Sequence, residues 1–123
     1  HKEDLRSEIM EHSMKLNVEP FEAIRNHRKT VEIRLNDEKR QNVKIGDTIV
    51  FTNIVNSEKK MRVKVTEKRV FDTFQKLFNY YDNAEIGYET DATLAQKVAS
   101  IYSIYNQTDE LNYGVVALKI ELV

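Results

Sequence analysis

Lys29-Thr30-Val31-Glu32-Ile33-Arg34-Leu35 alternates without a break. In an extended chain Val31, Ile33 and Leu35 point one way, and Thr30, Glu32 and Arg34 the other. The stretch reads as a strand over Thr30–Leu35. Downstream, Ile45-Gly46-Asp47 is a turn leading into an apolar strand, Thr48–Ile54. Asn56–Lys60 reads as a hairpin loop. Met61, Val63 and Val65 then alternate with Arg62, Lys64 and Thr66, a return strand extending to Phe71 with one wet face. Upstream, His12–Leu16 reads as a short strand with Met14 and Leu16 on one side. Pro20 is expected to open a helix, where its missing N–H costs nothing, with Phe21 and Ile24 inward. Arg25, His27 and Arg28 fall at its C-terminal end, where cations suit the macrodipole.

The second half carries helical spacing. Asp72, with Gln75 three residues on, makes a capping-box pattern, followed by Phe74, Leu77, Phe78 and Tyr81. Leu94, Val98, Ile101 and Tyr105 mark another helix after Asp91 and Thr93. Val116, Leu118, Ile120 and Leu122 alternate with Lys119 and Glu121, a closing strand. About five strands and three or four helices predict an α+β domain, a small barrel or curled sheet with helices on one side. Val31, Ile33, Ile49, Phe51, Val63, Val65, Val116, Leu118 and Ile120 are its candidate core. Lys2–Glu11 shows only a weak helical stripe, Leu5 and Ile9. Residues 1–11 are therefore expected to be an N-terminal extension or a segment foreign to the protein, and residues 12–123 one domain.

Composition narrows the function classes. A chain of 123 residues fits one domain. Without cysteine there are no disulfides and no thiolate metal sites, which fits a cytoplasmic location. No apolar run approaches the roughly 18–20 residues of a membrane span, so no membrane partner is expected. The net charge is −1, yet residues 25–44 carry seven basic against three acidic residues. Such a local patch suits phosphate recognition better than overall charge suggests.

Specific catalytic motifs are missing. His1, His12 and His27 lack the spacing of a helical zinc site, so neither a metal nor a cofactor is expected. His12 reads as a structural or surface residue. Gly46, Gly87 and Gly114 are isolated rather than a phosphate loop, and no serine sits in a nucleophile elbow. What stands out is the array around the first strand. Glu32 and Arg34 project from one face, with Lys29 just before the strand and Asp37, Lys39 and Arg40 just after it. A cation–carboxylate–cation array can bind an anion while the carboxylate orients the cations. The plainer alternative is a surface salt-bridge cluster pinning the strand, since such pairs are common and contribute little.

In order, Met14-Lys15-Leu16, Pro20-Phe21-Glu22-Ala23-Ile24, Lys29 through Arg40, and Val43-Lys44-Ile45-Gly46-Asp47-Thr48-Ile49-Val50-Phe51 resemble the start of bacterial ASCH domain proteins. Tyr113-Gly114-Val115-Val116-Ala117-Leu118-Lys119-Ile120 resembles that family's closing strand. The resemblance covers roughly residues 12–123. It implies a PUA-like small β-barrel, mostly antiparallel, with helices flanking a cleft, and a role in RNA binding. It also implies that Lys29, Glu32 and Arg34 line the cleft, with Asp37, Lys39 and Arg40 on the adjoining segment. Where the family usually has glycine at the end of the first helix, this chain has Asn26-His27-Arg28, and Asn26 is expected to take the left-handed turn.

Some small relatives resemble amidohydrolases acting on N4-acetylcytidine through a lysine, a threonine and a glutamate. Lys29 matches the lysine, but Glu32 stands at the threonine position. Thr30 is one step away, a shift of about 6–7 Å along the face. Glu67 is a candidate for the acid. A lysine base must shed its proton, which an adjacent carboxylate opposes. The expectation is therefore an RNA- or nucleotide-binding module, with Tyr80, Tyr81, Tyr102 or Tyr105 as base-stacking candidates. The amidohydrolase, with Lys29 catalytic, is the alternative. A protein-interaction domain would instead show an exposed apolar patch.

Overall fold

The structure, a computed structural model, describes residues 8–123. Five strands and five helices follow one another as β1 (Glu11–Leu16), α1 (Val18–Arg25), β2 (Val31–Leu35), α2 (Glu38–Gln41), β3 (Thr48–Asn53), β4 (Lys60–Phe71), α3 (Phe74–Tyr80), α4 (Leu94–Tyr102), α5 (Gln107–Tyr113) and β5 (Val115–Leu122). The strands form one curled sheet in the order β1-β3-β4-β5-β2. Only β1 and β3 run parallel; the other neighbours are antiparallel. This is the expected α+β architecture, mostly antiparallel with flanking helices, and the curled sheet forms a half-barrel. Of the weak helical stripe over residues 2–11, residues 2–7 lie outside the described ones, and Glu8–Met10 are not helical.

Local chemistry explains most boundaries. Buried Asn53 ends β3, and its Oδ1 accepts from the N–H groups of Val55 and Asn56, turning the chain into the hairpin. Buried Asp47 ties three segments together. Its carboxylate accepts from Met10 N, Lys44 N and His12 Nε2 at 3.1, 2.9 and 2.8 Å. Burial pushes the Asp47 carboxyl up, but the His12 bond and the two backbone N–H bonds outweigh it and hold it below the usual range. His12 is thus a structural residue.

Three local expectations need correction. Helix α1 starts at Val18, so Pro20 lies inside its first turn, where no N–H partner is lost. The left-handed residue after α1 is His27 (φ 62°), not Asn26. Helix α3 is capped by Thr73, whose side chain accepts from Lys76 N at 3.1 Å, while Asp72 pairs with Lys76 in solvent. The full capping box belongs to α4, where Thr93 and Gln96 exchange both bonds.

The core is double rather than single. Phe21, Ile49, Phe51, Val63, Val65 and Leu118 belong to a cluster inside the curl. Val31, Ile33, Phe74, Leu77, Ile101 and Val115 form a second cluster under α3 and α4. Strand β5 serves both, which is why Val115–Leu118 are buried on both faces. The apolar face of β2 therefore looks outward, to the helices. Its polar face looks into the curl: Glu32 lies opposite Leu118 and Arg34 opposite Val116, and opposite residues share a face. An alternating strand has here its charged side, not its apolar side, in the concave interior.

Candidate functional site

The turn after α1 sets Lys29. Arg28 N and Lys29 N both donate to Ala23 O, at 2.8 and 3.1 Å, so the chain reverses and delivers Lys29 beside the start of β2. Glu85 O then accepts from both Thr30 N and Val31 N at 2.9 Å. Next to it Gly87 takes φ +86°, and a Cβ there would stand 2.9 Å from Lys29 Cδ. Glycine is needed for both reasons. The 82–93 segment is anchored from behind. The Asn83 amide donates to the carbonyls of Glu89, Thr90 and Ala92, and its oxygen accepts from Lys97 Nζ at 2.6 Å.

Glu32 is the centre of the site. Its Oε1 lies 2.9 Å from Lys29 Nζ and its Oε2 accepts from Arg34 Nε at 2.7 Å. The three side chains are 5, 11 and 13% exposed for Glu32, Lys29 and Arg34, so this is a recessed ion triad and no surface cluster. Burial pushes the Glu32 carboxyl up, but the charges of Lys29 and Arg34 and their hydrogen bonds outweigh it and keep it ionised. One net positive charge remains on the triad. Arg34 Nη2 also donates to Lys15 O at 2.7 Å, and Lys39 Nζ to Ser13 O at 2.6 Å. Both carbonyls belong to β1, so one cation from β2 and one from α2 reach the free edge of β1, where a closed barrel would have a backbone ladder to β2.

The triad opens onto a cavity of about 1000 Å³ between α1, β2, the 86–88 turn and the segment after α4. Lys15 and Arg28 add cations to its wall; Tyr88, Tyr105, Ile54 and Ile104 add apolar surface. Tyr105 stacks on Phe74 (5.4 Å, 21°). Burial pushes its hydroxyl up, with Arg34 pulling the other way.

The residues singled out in the sequence separate into two groups. Lys29, Glu32 and Arg34 meet at the cavity floor, whereas Asp37, Lys39 and Arg40 do not line it. Asp37 caps α2 through Arg40 N and also pairs with Arg40 Nη1 at 3.3 Å. Glu67 is exposed on β4, 3.6 Å from Lys119, and does not line the cavity. Of the four tyrosines only Tyr105 lines the cavity. Tyr102 donates to buried Glu110, and Tyr80 carries Arg69 over its ring at 4.6 Å. Gly87, Tyr88 and Ile104 were not among the expected site residues. An isolated glycine between Ile86 and Tyr88 was the available signal for close backbone approach.

Comparison with known proteins agrees with this architecture. The ASCH domain model matches residues 14–123. The chain is similar to the crystal structure of hypothetical protein PH0355, with 31% identity, a TM-score of 0.81, and coverage of 93% of this chain and 100% of that one. It is also similar to the solution structure of protein PF0455 from Pyrococcus furiosus, with 31% identity, a TM-score of 0.73, and coverage of 93% and 98%. No curated protein matches. With the family model spanning nearly the whole described domain, this chain belongs to the ASCH domain family.

Proposed function

We propose that the cavity binds single-stranded RNA or a nucleotide without transforming it. The observation carrying this reading is the recessed Lys29–Glu32–Arg34 triad, held ionised with a net positive charge at the floor of an open, partly aromatic cleft. Cationic donors meet phosphate, and aromatic walls such as Tyr105 meet an unpaired base. The proposed RNA-binding role of ASCH domains points the same way. Among the described residues no helix is long and apolar enough to cross a membrane.

Binding weakens as salt rises, because each neutralised phosphate releases counterions. A titration of mixed-sequence single-stranded RNA across ionic strengths reads that slope. No binding at low salt to RNA or any nucleotide would remove the reading. Arg34→Lys is expected to lower affinity several-fold and, with one of Arg34's two hydrogen bonds lost, to lower the melting temperature modestly. Lysine keeps the charge but cannot bond Glu32 and Lys15 O while presenting a planar fork to the ligand. Wild-type affinity in that variant would return Arg34 to a purely structural role.

Amide hydrolysis is the second reading, and the geometry does not favour it. Lys29 Nζ is held by Glu32, and among the described residues no serine or threonine lines the cavity. Incubation with N4-acetylcytidine is expected to give no turnover. Turnover lost in Lys29→Ala would make the protein an enzyme.

A further inference from the structure

The donor inventory of the floor says more about the ligand. Glu32 spends both oxygens inside the triad, one on each cation. Lys29 Nζ has three N–H groups and Arg34 five. Among the described residues Nζ has no acceptor besides Glu32, and the guanidinium donates through Nε to Glu32 and through Nη2 to Lys15 O. Five of these eight N–H groups therefore have no acceptor among the described residues. Of the acids in the lining, Glu22 is engaged by Lys59 at 3.3 Å, and Glu19 stands in the first turn of α1. The floor thus offers donors and positive charge, and asks for acceptors and negative charge.

Accessibility restricts which anion can answer. With Lys29 and Arg34 only 11 and 13% exposed, a ligand group must reach the cations end-on. An internal phosphodiester has a ribose on each side and one negative charge shared by two free oxygens. A phosphate monoester has one substituent, three free oxygens and a charge of about −1.5 to −2 at neutral pH. It suits a recessed, donor-rich floor. The lining also offers apolar surface: Ile54 and Ile104 are exposed, beside Tyr88 and Tyr105. Those walls fit the sugar and base of a single residue.

We infer that the cleft recognises the phosphorylated end of a single-stranded RNA, with the terminal phosphate on Lys29 and Arg34 and the terminal nucleoside between the apolar walls. This rests on the RNA reading above and narrows it to strand ends. The same chemistry is present in a free nucleoside monophosphate and in inorganic phosphate, which separate arms of the test address.

The test uses one short RNA sequence in three forms: 5′-phosphorylated, 3′-phosphorylated, and hydroxyl at both ends. Affinities are read by fluorescence anisotropy at one low salt concentration. One phosphorylated form is expected to bind about tenfold or more tightly than the hydroxyl form, as the gain of a charge-assisted contact implies. A matching nucleoside monophosphate is expected to compete, the nucleoside not, and inorganic phosphate only weakly. Lys29→Met is expected to abolish the preference for the phosphorylated end. The comparison of RNA forms on the wild-type protein needs no variant, so it stands even if Lys29→Met folds poorly. Equal affinity for all three forms would overturn end recognition and leave RNA binding in place. No binding of any form would overturn both. A preference that persists in folded Lys29→Met would place the phosphate elsewhere and overturn the assignment to this floor.

Discussion

Glu32→Ala is expected to unfold at markedly lower temperature than the wild type and, on the proposed RNA reading, to bind no RNA at concentrations that saturate the wild type. Removing one member of a buried ion group leaves the others desolvated and uncompensated, at a cost of about 3–5 kcal/mol. For a domain of this size that lowers Tm by about 10–20 °C. Lys29 and Arg34 both lose their partner at once, so no smaller loss is expected. The same carboxylate makes the protein acid-labile. Its pKa is held below the ordinary glutamate value, so the unfolded chain takes up the proton first. The stability it contributes is full above the ordinary value, near 4.5. It falls as pH drops through the folded value. Asp47 adds a second contribution of the same sign. Glu32→Gln should therefore flatten part of the acid limb in melts recorded from pH 7 down to pH 3, and an unchanged limb would contradict this account. Replacing the whole triad with apolar residues of similar volume is a useful control. Buried ion groups often tolerate such exchange with little loss of stability. A well-folded triple variant that binds nothing would separate the triad's functional role from its structural one.

Gly87→Val is expected to cost about 2–4 kcal/mol of stability and to weaken RNA binding about thirtyfold. Two effects add. A β-branched residue at φ +86° is strained. Its Cβ would also stand 2.9 Å from Lys29 Cδ, so the lysine stem must shift, which disturbs the seating of Nζ on Glu32. A merely strained turn would lower Tm without changing what the site reads. Displacement of Lys29 lowers the salt slope by about one phosphate contact and makes Gly87→Val and Lys29→Met non-additive in a double-mutant cycle. Additive losses in affinity would show that Gly87 does not act through Lys29.

Strand and helix positions were largely legible because period-2 and period-3.6 patterns record burial directly. Val31–Leu35, Thr48–Asn53, the Met61–Phe71 run and Val115–Leu122 all announce themselves in this way. Helix α5 does not. Gln107–Tyr113 is mostly polar, its Leu111 and Tyr113 are exposed, and its buried residue is Glu110, which accepts from Phe74 N and Tyr102 Oη at 2.7 and 2.6 Å. No apolar stripe marks a helix that is seated by hydrogen bonds. Family membership was equally legible, since the ordered motifs from Met14 to Phe51 carry it.

The sequence alone determined which residues alternate on β2, and so that Glu32 and Arg34 share a face. Which way that face looks was decided only by tertiary structure. Alternation makes two faces distinct but does not say which is buried; that depends on the layer packed against each. Here α3 and α4 cover the apolar face, and the curl of the sheet encloses the charged one against Val116 and Leu118. A pattern that locally resembles a solvated salt-bridge strand thus became a recessed ionic floor. The approach of Gly87 to Lys29 is of the same kind. It joins residues far apart in the chain through the fixed turn of residues 82–93, a distance that no local periodicity encodes.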